Sequence, residues 1–92
     1  MRIEDRVRDF IGAQLAWEGD PTRPDELADD TELIDSGLLD SLRVIELAGF
    51  LQAEYEFEVN DIDVVYDNFH TIAAITDYVR RKIASRADIG SR

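Results

Sequence analysis

Apolar residues recur along this chain at helical spacing, not in strict alternation. Ile3, Val7, Phe10, Ile11 and Gln14 share one face, with Leu15 at its edge, and predict an amphipathic helix over residues 2–16. Periodicity then lapses over residues 18–40, which hold Gly19, Pro21, Pro24 and many acids. A connection of that length is usually tied to function or to packing of its own. Leu27, Leu33, Ile34 and Leu38 within it are expected to tuck into the core.

Residues 41–55 give the clearest helix. At about 100° per residue, Val44, Leu47, Ala48, Leu51 and Tyr55 point within about 60° of one direction. Leu42, Ile45 and Gly49 fall on the opposite side with Glu46 and Ala53. A small domain cannot readily bury both faces, so Leu42 and Ile45 are expected to be partly exposed, an apolar patch rimmed by acid. Packing of either one beneath the long loop is the competing arrangement.

Residues 61–67 suggest a short helical turn around Ile62 and Val65. Asn68 or Thr71 can cap a last helix whose inner face is Ile72, Ile75, Val79 and Ile83. Arg80, Arg81 and Lys82 suit the dipole at its carboxyl end. A domain over residues 1–84 and a flexible polar tail over 85–92 are expected. The predicted fold class is all-α: a small four-helix bundle, three helices long and one short, with a long loop between the first two.

Composition narrows what such a bundle can do. The 92 residues carry 21 Asp plus Glu against 10 Lys plus Arg, a net charge of −11. Position matters more than the total. Residues 1–17 are neutral and residues 68–92 carry +3, whereas residues 18–67 hold −14. Such acidity argues against nucleic acid and anionic membrane as partners. It suits either a solvated surface or a docking surface for basic partners. Apolar runs are too short for a membrane span or a signal-peptide core, so a cytoplasmic, soluble monomer is expected. With no Cys, disulfides and zinc ribbons are excluded.

Candidate chemistry is sparse. His70 is the single histidine and has no evident nucleophile beside it in sequence, so it reads as a surface residue or one at a helix start. Gly37-Leu38-Leu39-Asp40-Ser41 is not a nucleophile elbow, which needs Gly on both sides of the Ser. Asp61-Ile62-Asp63 begins like a calcium loop, but its sixth position is Tyr66 and its twelfth Ile72, so no metal site is expected. What remains is Ser41, at the start of the central helix. Ser is a common helix cap, yet Val44 stands where a capping box wants Glu or Gln, and Asp40 can cap as well.

Residues 30–47, centred on Asp40-Ser41-Leu42 with Glu46-Leu47 following, resemble the attachment region of acyl and peptidyl carrier proteins. Phe57-Glu58-Val59 and Asn68-Phe69-His70-Thr71-Ile72-Ala73-Ala74-Ile75 resemble the same family, so the likeness spans roughly residues 3–83. Three residues alone recur by chance; the motif at a helix start after a long acidic loop is specific.

The resemblance implies that Ser41, flanked by Asp40 and Leu42, receives 4'-phosphopantetheine from coenzyme A through a phosphopantetheinyl transferase that supplies the metal and the base. The arm's thiol would then carry an acyl or aminoacyl thioester. A loading enzyme (an adenylating enzyme or an acyltransferase) and downstream condensing or tailoring enzymes would be partners. Leu42, Arg43, Ile45, Glu46 and Gly49 match the family's partner-binding positions, and the chain itself would catalyse nothing. Arg43, Gln52 and Ala53 stand where fatty-acid carriers usually place acids. The likeness therefore leans toward free-standing carriers of specialised natural-product pathways, nonribosomal peptide or polyketide. A D-alanyl or fatty-acyl carrier, an unmodified carrier-like adaptor and an acidic mimic of DNA are the alternatives.

Overall fold

The computed structural model describes residues 2–20 and 22–90, with side chains through Ser85. Four α-helices follow one another: α1 (Ile3–Trp17), α2 (Ser41–Tyr55), α3 (Tyr66–Phe69) and α4 (Ile72–Gly90). Two 3-10 turns, Pro24–Glu26 and Asp61–Asp63, interrupt the connections, and no strand occurs among the described residues. The all-α bundle of three long helices and one short helix is the predicted architecture. The turn expected over residues 61–67 divides into the second 3-10 turn and α3.

Helix α1 begins with Glu4 and Asp5 in its first turn, where negative charge complements the helix dipole. It buries Val7, Ile11 and Leu15 completely, with Ile3 and Phe10 packed against the core. Helix α2 buries Val44, Leu47, Ala48 and Leu51, and Tyr55, the last residue of the predicted stripe, is partly buried against the core. Helix α4 contributes Ile72, Ile75 and Val79, with Ile83 half-buried. Two further α4 residues, Thr76 and Tyr78, are buried beyond those the apolar spacing marks.

The long connection is a part of this core. Leu27, Leu33 and Leu39 are buried, and Ile34 and Leu38 pack against the same cluster. Leu39 was not among the residues expected to turn inward. Full burial of one such side chain stabilises the fold by about 1.5–3 kcal/mol. The loop backbone is satisfied from both sides of the bundle. Leu33 N–H donates to the His70 carbonyl (2.8 Å), and the Asp29 carbonyl accepts from Ala73 N–H (2.9 Å). From α1, Arg8 donates through Nε to the Leu27 carbonyl (2.6 Å) and through its guanidinium to Asp29 and Asp5. Gly12 permits this approach, since a Cβ there would lie 2.5 Å from Pro24 Cγ.

The basic residues of α4 do something other than expected. The helix continues to Gly90, so Arg80, Arg81 and Lys82 stand well inside it and not at its carboxyl end. Ala84 and Ala87 carry no helix-propensity cost that would stop it earlier. These bases reach sideways: Arg80 to Glu4 (3.5 Å), Arg81 to Asn68 Oδ1 (2.9 Å) and Lys82 to Asp63 (3.3 Å). The tail expected from residue 85 thus begins inside α4, and residues 91–92 lie outside the described residues.

Replacing Leu33 by Ala tests whether the loop shares the core. Leu33→Ala is expected to cost about 2–5 kcal/mol in urea unfolding, the range for a buried Leu in a packed site. A loss below about 1 kcal/mol, typical of surface sites, would show the loop to be loosely laid over the bundle.

Candidate functional site

The chain reverses just before α2 and delivers Ser41 to an exposed helix end. Gly37 takes a left-handed backbone (φ +83°) that other residues adopt only with strain, and its N–H donates to the Ile34 carbonyl (3.0 Å). Leu39 then turns inward, its N–H donating to the Leu33 carbonyl (2.8 Å). Asp40 follows in an extended conformation as the cap of α2, and its Oδ1 accepts from Arg43 N–H (2.9 Å). Asp40, not Ser41, therefore caps the helix, taking the Arg43 amide and leaving those of Ser41 and Leu42 without a partner among the described residues. Ser41 is exposed, and its hydroxyl makes no hydrogen bond among the described residues. Amides in the first turn of a helix have no intrahelical acceptor, and with the dipole they favour a phosphate there.

Arg43 departs from the expected contact surface. Its half-buried guanidinium donates to the Leu38 carbonyl (2.8 Å) and pairs with Glu18 at the end of α1. Its own carbonyl accepts from Gln14 Nε2 (3.0 Å). Arg43 thus straps the segment before Ser41 to α1. The remaining outward positions lie as the helical angles predict. Leu42 is 59% and Ile45 64% exposed, so neither packs beneath the loop. Glu46 and Gly49 are exposed beside them, and Gly49 faces open space.

Beside Ser41 opens a groove of about 440 Å³. Leu39, Val44 and Ile45 form one wall, Val65, Tyr66 and Phe69 the other, and Asp40 and Ser41 border it. The sequence offered only a weak sign of the second wall, the Val64-Val65 pair after an acidic turn. That wall is anchored to α4 by polar contacts. Asp63 accepts from the buried Tyr78 hydroxyl (2.8 Å) and from Lys82, and Asn68 Nδ2 donates to the Asp63 carbonyl (2.8 Å). The Tyr78 hydroxyl and Lys82 hold the Asp63 carboxyl below its ordinary range, against the opposing effect of burial. Across the groove mouth, the Tyr66 hydroxyl donates to Asp35 (2.7 Å), with Glu32 at 3.3 Å. Its ring stacks on His70 (4.8 Å between centroids).

His70 sits at the junction of α3 and α4, as its reading at a helix start anticipated. Its Nδ1 lies 3.1 Å from the Tyr66 carbonyl, and its own carbonyl receives the Leu33 N–H. Thr71, one of the two proposed caps, accepts from Ala74 N–H (3.0 Å). Asn68, the other, serves the Asp63 anchor instead.

The structure is thus a helical bundle that leaves Ser41 exposed at the Asp40-capped end of α2. The family model described as "Phosphopantetheine attachment site" matches residues 5–79, and the chain belongs to that family. Its prosthetic group is 4'-phosphopantetheine. The chain is 28% identical over 82 residues to an acyl carrier protein of Bdellovibrio bacteriovorus, covering 89% of this chain and 96% of that one. Its fold matches the solution structure of a holo acyl carrier protein from Nitrosomonas europaea with a TM-score of 0.72 at 24% identity, over 91% of this chain and 99% of the other. The exposed Ser41 hydroxyl and the unbonded Ser41 and Leu42 amides fit a phosphodiester-linked arm. No helix among the described residues is long and apolar enough to cross a membrane.

The three tyrosines supply a test of this packing. Burial raises Tyr55, the Asp35 hydrogen bond pushes Tyr66 up to about 12, and burial followed by the Asp63 hydrogen bond raises Tyr78. A raised phenol favours the folded state fully below its ordinary value, near 10, and loses that contribution as pH climbs through the folded value. Little tyrosinate absorbance is expected near pH 10 in the native protein; ionisation should arrive with loss of helix at higher pH. Half the tyrosinate signal developing near pH 10 with helical circular dichroism intact would contradict the arrangement.

Proposed function

We propose that Ser41 is the attachment residue and that this chain carries acyl or aminoacyl groups as thioesters between enzymes. The supporting observation is an exposed Ser41 hydroxyl, free because Asp40 caps α2, at a helix end bordered by an apolar groove. Ser41 Oγ attacks the pyrophosphate of coenzyme A within a phosphopantetheinyl transferase and gives up its proton to the transferase's base. The new O–P bond replaces the one to adenosine bisphosphate, which leaves. Asp40 caps the helix end, and the free Ser41 and Leu42 amides with the helix dipole favour the incoming negative charge.

When bound, the arm supplies a terminal thiol that this cysteine-free chain lacks. The chain contributes no catalytic group of its own. It raises the local concentration of its cargo at each partner's active site by tethering. Leu42, Ile45, Glu46 and Gly49 offer those partners an exposed, mixed apolar and acidic face. The transferase, a loading enzyme and downstream condensing or tailoring enzymes dock there in turn.

Two cargo classes have specific support. Gln52 and Ala53, in place of acids on the exposed side of α2, favour a specialised nonribosomal peptide or polyketide pathway. Arg43 gives less support than its sequence position suggests, because it is spent on Glu18 and Leu38. The apolar groove beside Ser41, together with likeness to an acyl carrier protein, favours a fatty-acyl role equally.

Intact mass after incubation with coenzyme A and a broad-specificity transferase tests the common core of both. Wild type is expected to gain one phosphopantetheine and Ser41→Ala none. An unmodified wild type would reduce the chain to a carrier-like interaction module, and modification of Ser41→Ala would place the arm on another residue.

A further inference from the structure

Away from Ser41, the edge between α1 and α2 carries the most exposed large apolar residue of the described chain. Trp17, at the end of α1, is 91% exposed. An indole this exposed is uncommon in a small domain, and among the other described aromatic residues only Tyr66 is exposed. It is not alone. Phe10, two turns earlier on α1, stacks on Phe50 of α2 (4.4 Å between centroids, planes 16° apart) and stays half-buried. Shallow depressions of about 320 and 360 Å³ lie on either side of Phe10. One is bordered by Ala13, Trp17 and Glu46, the other by Asp9 and Phe50.

The charges around this aromatic strip are one-sided. Arg6 is neutralised by Glu54, and Glu18 is taken by Arg43. Asp9 has no ionic or hydrogen-bonding partner among the described residues, and Glu46 accepts only from the neutral Gln14 (3.2 Å). The strip therefore offers an open indole beside the uncompensated Glu46, with a second such carboxylate, Asp9, in the neighbouring depression beyond Phe10. A planar cation satisfies both features: a guanidinium stacks on an indole and is less strongly hydrated than an ammonium, while its charge meets Asp9 or Glu46. Acidic surroundings disfavour an anionic membrane as the occupant, although a lone exposed Trp would otherwise suit one.

We propose that the α1–α2 edge is a second docking surface, on which Trp17 anchors an arginine-bearing segment of a partner protein. Glu46 belongs both to this strip and to the outward face of α2, so a partner seated over α2 can extend onto Trp17 without releasing the first contact. The inference stands apart from the chemistry at Ser41, because none of its residues borders the serine or its groove.

Trp17 is the sole tryptophan, so its emission reports on this site alone. The probe is an amphipathic leucine–alanine peptide with arginine on its polar face, compared with twins bearing lysine or glutamine there. The arginine peptide is expected to shift Trp17 emission saturably. The lysine twin should bind more weakly, and the glutamine twin should leave the emission unchanged. Combining Asp9→Asn with Glu46→Gln should weaken binding about threefold or more, as should Trp17→Ala when binding is followed by peptide anisotropy. The paired control, Asp30→Asn with Glu58→Gln, removes the same charge elsewhere and should have little effect. Ser41→Ala should bind like wild type, so failure of the attachment reading leaves this result standing. The proposal is overturned by an unchanged emission with the arginine peptide or by equal loss from the control pair. It is also overturned by an emission shift that appears on concentrating the protein alone, which would mean self-association.

Discussion

The geometry around Ser41 rests on burying Leu27, Leu33 and Leu39 from a connection that is otherwise acidic and solvated. Without those three anchors, the loop's backbone bonds to His70 and Ala73 would have to offset its ordering entropy alone. With them, the loop becomes a wall of the core. Leu39 is the critical anchor for the proposed attachment site, because Asp40 and Ser41 follow it directly. Once Leu39 is fixed, Asp40 is held at the helix end and Ser41 is left outside.

Positive charge in this molecule is used mainly as internal fastening. Arg8 holds the loop to α1, Arg43 holds the segment before Ser41 to Glu18, and Arg81 and Lys82 hold the far groove wall to α4. Arg8 and Arg43 are largely buried, at 19% and 13% side-chain exposure, whereas Arg81 lies at the surface. Their joint consequence is electrostatic. With those cations tied to particular carboxylates or carbonyls, the remaining acids on α2 and along the α1–α2 edge present a negative exterior. A carrier that visits several enzymes needs both properties, a rigid presentation and a surface that attracts partners rapidly and releases them.

Much of this was legible in the sequence, for identifiable reasons. Helix α2 could be bounded because Asp40 marks its start and Val44, Leu47 and Leu51 set its inner face, which in turn places Leu42 and Ile45 outside. Other features depend on residues brought together only by folding. The inward turn of Arg43 needs the Leu38 carbonyl and Glu18, from a loop and from the end of α1. Tyr78 lies outside the apolar spacing of α4 and is buried because Asp63 receives its hydroxyl. Helix α3 has four residues, too few for any periodicity. Leu38 and Leu39 are adjacent and chemically identical, so only the turn at Gly37 decides that Leu39 goes fully inside.

The Leu27, Leu33 and Leu39 anchors fix the loop preceding Ser41 as firmly as the helices it joins. Native-state amide hydrogen exchange tests this most directly. The Leu33 and Leu39 amides, bonded to His70 and Leu33 carbonyls, are expected to exchange with protection close to that of Leu47 and Val79 in the helical core. Exchange of Leu33 and Leu39 at the rate of an unstructured chain, while α2 and α4 remain protected, would contradict the account.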